Sequence, residues 1–300
     1  MLPGGSYVAL VTPMDGDNKI QWHIWHELLD WHLESKTAGI VILGTTGESP
    51  TITAKERCRL IQETTSHISG KIPVLVGVGS NSTQVVCDLM QEAALFGADA
   101  GMAVTPYYNM PNQNGVYEHF KKIATTVDLP FLLYNVPSRT GFSLSVDTVA
   151  KLALLNNIVG IKEASGDLNY LLELRELLPA NFLLFSGDDS TVVDFIRAGG
   201  HGVISVIANV LPLHMVSLCQ AVLLEDTCSV IKIFDEIKVL IDACKLDVNP
   251  SPIKYMLSLI NKIGKGIRLP LLPLDYQQQQ QVKDVMGRMG LLPAVGVLKD

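Results

Sequence analysis

Eight short runs of β-branched and apolar residues alternate with amphipathic stretches, and that alternation restricts the fold more than any other feature. The runs are Tyr7–Val11, Gly39–Leu43, Pro73–Val78, Ala100–Val104, Phe131–Tyr134, Ile158–Lys162, Phe182–Phe185 and Gly202–Val206. Helical patterns lie between them over Trp22–Leu33, Ala54–His67, Ser82–Phe96, Gly115–Thr126, Val146–Leu154, Leu168–Leu178 and Ser190–Ala198. Strands that are apolar on both faces need cover on both. A parallel sheet wrapped in helices supplies it, and eight such strands close into an α/β barrel of the (β/α)8 type. An open, doubly wound sheet is the alternative. After the eighth run the pattern is helical only, at Pro212–Leu224, Val230–Lys245, Ser251–Ile263 and Tyr276–Met289, with no Pro/Gly/Ser linker before it. The expected organisation is a barrel over residues 1–208 and an appended C-terminal helical region over 209–300.

Within this frame, Lys162 closes the run Ile158–Ile161 and Tyr134 closes Phe131–Leu133, one βα repeat earlier. An amine at the end of a buried strand loses hydration, which favours its neutral, nucleophilic form, and a neighbouring phenol can move protons. The bland alternative is a solvated lysine at a strand end.

Composition narrows the function classes. The chain has 300 residues, 48% of them hydrophobic and 18% charged, enough for a large core. With 23 basic against 30 acidic residues the net charge is −7, and no Lys/Arg run offsets it, so nucleic acid is not an expected partner. Cys58, Cys87, Cys219, Cys228 and Cys244 are odd in number and lack C-x-x-C spacing, which argues for reduced thiols rather than a disulfide framework or a zinc site. Met1–Gly5 lacks the order of a secretory signal, so a cytoplasmic location is expected. The most apolar window, Gly202–Leu224, is interrupted by Asn209, Pro212, His214 and Gln220 and reads as strand, turn and buried helix rather than a membrane span. Gln277–Gln281 reads as a solvated helix face.

Several loops carry polar chemistry to what would be the barrel's carboxyl-terminal mouth. Gly44-Thr45-Thr46-Gly47-Glu48-Ser49 offers backbone N–H groups and hydroxyls to a carboxylate, or is simply a turn before a helix capped by Thr53-x-x-Glu56. Gly77-Val78-Gly79-Ser80-Asn81 lacks dinucleotide-binding spacing. Thr105–Asn109 brings Tyr107 and Tyr108 to the same mouth. Arg139, in a turn rich in breakers, suits a substrate carboxylate at the entrance or a pairing with a nearby acid. The histidines His23, His26, His32, His67 and His201 form no metal-ligand pattern, and no catalytic metal is expected. Asp188 and Asp189 read as a helix N-cap.

These segments together carry a resemblance. Gly44–Glu48, Val104–Asn109, Leu133–Gly141, Gly160–Gly166, Ser186–Asp189, Gly199–Ser205 and Asn249–Lys254 resemble, in order and spacing, the dihydrodipicolinate synthase family, and the match runs from the first strand into the late helices. The resemblance implies a pyruvate-dependent class I aldolase on an eight-stranded barrel, with Lys162 forming an imine with pyruvate and the resulting enamine attacking L-aspartate 4-semialdehyde to give 4-hydroxy-tetrahydrodipicolinate, the first committed step of lysine biosynthesis. It implies a proton relay of Thr45, Tyr134 and Tyr108, with Tyr107 at a tight-dimer interface. Thr46 and the glycine turn would hold the pyruvate carboxylate, Gly187 and the Ile204 carbonyl would line the pocket, and Arg139 would bind the semialdehyde's carboxylate. No cofactor beyond the covalent imine is implied, and the assembly is expected to be a homotetramer, a dimer of dimers.

One departure stands out. Where lysine-inhibited members carry a carboxylate and histidines near the dimer interface, this chain has Val85, Ala54 and Arg57, although Asn81 and Tyr107 persist. Weak or absent feedback by lysine is expected. Two other functions compete: the same imine chemistry with another acceptor or in the keto-acid lyase direction, and a barrel that binds a keto acid without turnover.

Overall fold

The computed structural model describes residues 2–293. Its elements run β1 (Gly5–Ala9), α1 (Trp22–Glu34), β2 (Gly39–Ile42), α2 (Ala54–Ile68), β3 (Val74–Gly77), α3 (Thr83–Leu95), β4 (Ala100–Val104), α4 (Gln113–Thr126), β5 (Phe131–Asn135), α5 (Pro137–Thr140), α6 (Val146–Leu152), β6 (Ile158–Glu163), α7 (Leu168–Leu177), β7 (Leu183–Ser186), α8 (Val192–Arg197), β8 (Gly202–Ser205), α9 (Pro212–Leu223), α10 (Thr227–Ala243), α11 (Ser251–Leu259) and α12 (Tyr276–Arg288). The eight strands are parallel and close in sequence order, with β8 pairing back onto β1. This is the expected (β/α)8 barrel, not the open sheet. Residues 294–300 of the expected C-terminal region lie outside the described residues.

Two apolar layers hold the barrel. Tyr7, Val41, Met102, Leu132, Phe185 and Ile204 meet inside it, while alternate strand residues such as Val8, Ile40, Val76 and Leu133 pack outward under the helices. Helix α2 shows how the outer layer forms. Its buried residues, Arg57, Leu60, Ile61, Thr64 and Ile68, recur at one-face helical spacing. Its start is the expected capping box: the Thr53 hydroxyl accepts from the Glu56 N–H, and the Glu56 carboxylate accepts from the Thr53 N–H at 3.0 Å.

The segment Gly202–Leu224 is a strand, a 3-10 turn at Ile207–Asn209 and helix α9, as expected. Among the described residues no helix is long and apolar enough to cross a membrane. Helix α9 packs against α8, α10 and β1, which seats the C-terminal helices on the barrel. The glutamine run lies on α12, with Gln277 and Gln281 exposed.

The residues after β5 differ from the expected irregular turn. Pro137 opens the one-turn helix α5 and Gly141, at φ 68°, ends it, because proline is pre-set for a first helical position and glycine takes the left-handed stop without strain. Asp188 and Asp189 also depart from the expected helix cap. Asp188 accepts from the N–H and hydroxyl of Ser190, while the buried Asp189 reaches across to accept from the N–H groups of Val206 and Ile207. The acids therefore fasten the β7 and β8 loops, and α8 starts at Val192 with Thr191 at its N-cap position making no side-chain cap bond.

Candidate active site

Strand register sets the two strand-end residues singled out by sequence against each other. Tyr134 is the direct partner of Lys162 across the β5–β6 seam, and Lys162 is the partner of Phe185 on β7. Side chains at partnered positions share a face, so all three point into the barrel. A bulge makes this so: Phe131 pairs with Ile158 but Leu132 with Gly160, so β6 holds one extra residue at Val159. Below the bulge Ile158 faces outward, and above it Ile161 does, with Lys162 turned inward. Uninterrupted pairing would have set Ile161 against Tyr134 and turned the lysine to the other face.

The amine that results is buried and unpaired. Lys162 is 5% exposed, its Nζ lies 4.5 Å from the centroid of the Tyr134 ring, and among the described residues it has no carboxylate partner. Gly187 runs beside it. A Cβ there would sit 2.6 Å from the Ala164 Cβ and 3.0 Å from the Lys162 Cε, so only glycine lets the β7 loop pass the lysine side chain.

A cavity of about 570 Å³ opens over the strand ends, and Thr45, Tyr134, Tyr107 and Arg139 all line it. Arg139 projects from α5, is exposed, and makes no ion pair among the described residues, which removes the reading of a loop arginine bound to a neighbouring acid. Tyr107 and Tyr108 part company. Tyr108 adopts a left-handed backbone, φ 71°, and is 90% exposed outside this cavity, so the expectation that both hydroxyls enter the mouth of their own chain fails for Tyr108.

The glycine turn after β2 is more selective than its sequence suggests. The N–H groups of Gly47 and Ser49 bond the Gly44 carbonyl and that of Glu48 bonds the Thr45 carbonyl, whereas those of Thr45 and Thr46 have no acceptor among the described residues. The amides left without an acceptor are thus those at the start of the turn, with Gly44 among them, rather than the whole of it. The buried Thr46 hydroxyl accepts from Asn249 Nδ2 at 3.0 Å, which leaves its own proton available. Ile204 is fully buried, and its side chain packs inside the barrel.

Sequence reasoning missed the supports from the C-terminal region. Asn249 holds Thr46, and Lys254 holds the buried Glu48, whose second oxygen accepts from the N–H of Arg268 at 3.0 Å. Val248, Asn249, Pro270 and Leu271 complete one wall of the cavity. In sequence Asn249–Lys254 is a motif more than 200 positions from the turn, and nothing local marks it as that turn's support. Among the described residues no group of three or more His, Cys, Asp or Glu is arranged to hold a metal ion.

Known proteins resemble this chain in sequence and fold. The Dihydrodipicolinate synthetase family model matches residues 2–288. The chain is 45% identical over 288 residues to the 4-hydroxy-tetrahydrodipicolinate synthase of Alcanivorax borkumensis, covering 96% of this chain and 98% of that one. It is 45% identical over 287 residues to the enzyme of the same name from Coxiella burnetii, with 96% and 98% covered. A solved structure of the chloride-inhibited dihydrodipicolinate synthase from Acinetobacter baumannii, complexed with pyruvate, is similar with a TM-score of 0.94 at 40% identity over 96% of this chain and 99% of that one. With the barrel, the inward lysine and a match along nearly the whole length in agreement, the chain belongs to the dihydrodipicolinate synthetase family.

Proposed function

We infer that this chain is a class I aldolase-type lyase that acts as a 4-hydroxy-tetrahydrodipicolinate synthase, condensing pyruvate with L-aspartate 4-semialdehyde in lysine and diaminopimelate biosynthesis. The observation that carries the mechanism is the buried, unpaired amine of Lys162 4.5 Å from the Tyr134 ring.

The neutral amine attacks C2 of pyruvate, and loss of water from the carbinolamine leaves an iminium ion on Lys162. The cationic nitrogen draws electrons from C3, a proton leaves, and the enamine that forms attacks the aldehyde carbon. The semialdehyde's amino group then adds to C2, closing the ring and expelling the lysine amine. No redox cofactor is consumed in this sequence. Tyr134 lies beside the nitrogen where protons must come and go, and Thr45, on the same cavity, is the next relay member. Thr46 and the free amides of Thr45 and Thr46 hold the pyruvate carboxylate, while the Gly187 backbone and the Ile204 carbonyl line its pocket. Arg139 binds the second carboxylate through its guanidinium fork, which selects the acidic aldehyde over neutral ones.

Tyr108 fits the relay only if a second copy of the chain receives it, since it points away from its own cavity. We therefore assign Tyr107 and Tyr108 to a dimer contact within a homotetramer, a dimer of dimers. In this reading the catalytic barrel lies within residues 1–208, and the described part of 209–300, up to Pro293, buttresses it. Five free thiols suit a reducing, cytoplasmic setting.

Borohydride reduction in the presence of pyruvate tests the reading. A mass increment on the peptide bearing Lys162, lost in Lys162→Ala, is expected; Arg139→Ala should keep the increment and raise KM for the semialdehyde. Equal loss of trapping in both variants would remove the division of roles.

A further inference from the structure

We propose that Glu163 is a positioning residue for the imine chemistry: paired with Asn135 across the β5–β6 seam, it fixes the phenol of Tyr134 against the amine of Lys162. The proposal rests on the reading of Lys162 as the imine-forming lysine.

Glu163 and Asn135 are the next register pair after Lys162 and Tyr134, so both side chains leave through the outer face of the barrel wall. Both are buried, with Glu163 3% exposed. One Glu163 oxygen accepts from Asn135 Nδ2 at 2.8 Å, and the other accepts from the N–H of Ser165. Asn135 Oδ1 in turn accepts from the N–H of Leu144 at 3.1 Å, which ties down the segment carrying Arg139. Main-chain bonds complete the knot: the Glu163 carbonyl accepts from Gly187 at 2.7 Å and the Asn135 carbonyl from Ala164 at 2.9 Å. One carboxylate thereby joins the upper rims of β5 and β6 and the loop after β5.

The bulge explains why such a lock is needed. Pairing below Val159 runs in one register and pairing above it in another, so the lower ladder does not dictate where Lys162 stops. The residues above the bulge require their own fastening, and the Asn135–Glu163 bond supplies it one residue beyond the reacting pair. Burying a carboxylate is costly, and burial pushes the Glu163 carboxyl upward while the Ser165 and Asn135 donors pull it down. A hydrophobic residue would fill the same space without that cost but would hold no register.

The test is an exchange of chemistry across the seam. In Glu163→Gln the new amide must turn its NH2 toward either Asn135 Nδ2 or the Ser165 N–H, so one of the two bonds is lost. In the double variant Asn135→Asp with Glu163→Gln, the glutamine NH2 donates to the aspartate, its carbonyl accepts from Ser165, and the other aspartate oxygen accepts from Leu144, so every principal bond returns. The rate and final extent of borohydride trapping with pyruvate are followed for wild type and both variants, together with kcat and KM. The single variant is expected to trap to full extent but about tenfold more slowly or worse, with pyruvate KM little changed, because small misplacements of reacting groups cost rate rather than binding. The double variant should recover most of the rate. A wild-type rate in Glu163→Gln, a slow rate in both variants, or a loss of extent that tracks unfolded protein each overturns the proposal alone. No trapping on Lys162 in the wild type overturns the imine reading and this proposal with it.

Discussion

Lys254 and Glu48, separated by 206 positions, form an ion pair whose side chains are 5% and 1% exposed. The pair links α11 to the turn that carries Thr45 and Thr46, at a residue held in left-handed backbone, φ 57°. Removing one partner leaves an uncompensated buried charge, and such losses cost about 3–5 kcal/mol. Lys254→Met should therefore lower the unfolding free energy by that order in denaturant titrations and raise KM for pyruvate as the turn relaxes. Adding Glu48→Gln should restore part of the stability, since glutamine still accepts from the Arg268 N–H without leaving a charge. No recovery in the double variant would show that the pair is not the source of the loss.

Local pattern made the barrel legible, because each strand and helix announces itself by its own spacing of apolar residues: Ala100–Val104 forms over the expected residues. Lys162 and Tyr134 were legible as strand-end residues one repeat apart. Their facing was not, since it depends on the bulge at Val159, where two successive residues of β6 oppose no second residue of β5. The supports given by Asn249, Lys254 and Arg268 were hidden for another reason. Their partners Thr46, Glu48 and Glu56 lie more than half the chain away, and no local periodicity encodes a long-range hydrogen bond. Tyr108 was misplaced because adjacent tyrosines look equivalent in sequence until the left-handed φ separates them.

Arg268 gives a pH-dependent prediction. Its guanidinium bonds both oxygens of Glu56, at 2.8 and 2.6 Å, and holds that carboxyl down to about 2 from 4.5. A depressed carboxyl stabilises the fold above its unfolded value and loses that contribution as pH falls from 4.5 through about 2. The pair is partly solvated, so solvent screening limits its worth to about 1 kcal/mol. Arg268→Ala should be less stable than wild type at neutral pH, and the difference should shrink as the pH drops below about 4. A difference that stays constant with pH would assign the loss to the guanidinium's bonds to the Asn18 and Thr51 carbonyls instead.

His32 predicts acid sensitivity of a different origin. The ring is fully buried, one nitrogen meets the Thr37 hydroxyl at 2.9 Å, and burial lowers its pKa from 6.5 to about 3. Below pH 6.5 the unfolded chain takes up a proton that the folded chain refuses, so stability falls with pH until about 3. Each pH unit in that window is worth up to about 1.4 kcal/mol. His32→Gln keeps a polar partner for Thr37 but does not titrate, so its stability loss between pH 7 and pH 5 should be smaller than wild type by about 2 kcal/mol. Equal losses in thermal or denaturant melts would show that other groups govern the acid limb.

Regulation follows from what lines the cavity beside Tyr107. Val85, Ala54 and Arg57 all border it, and Arg57 is already committed to Glu92 at 2.7 Å and to the Gly77 carbonyl at 3.0 Å. A cationic amino acid entering there would meet a methyl-bearing wall and a guanidinium rather than an unpaired carboxylate, so its ammonium groups would lose hydration without an ionic partner. Lysine at sub-millimolar concentration is expected to leave steady-state turnover unchanged. Val85→Glu places a carboxylate at the cavity edge without touching Lys162, Tyr134 or Arg139, and it should introduce inhibition by lysine while sparing kcat in its absence. Inhibition of the unmodified enzyme in that range would mean that the cavity recruits another anionic group to the ligand, and the apolar lining at Val85 would then not decide the response.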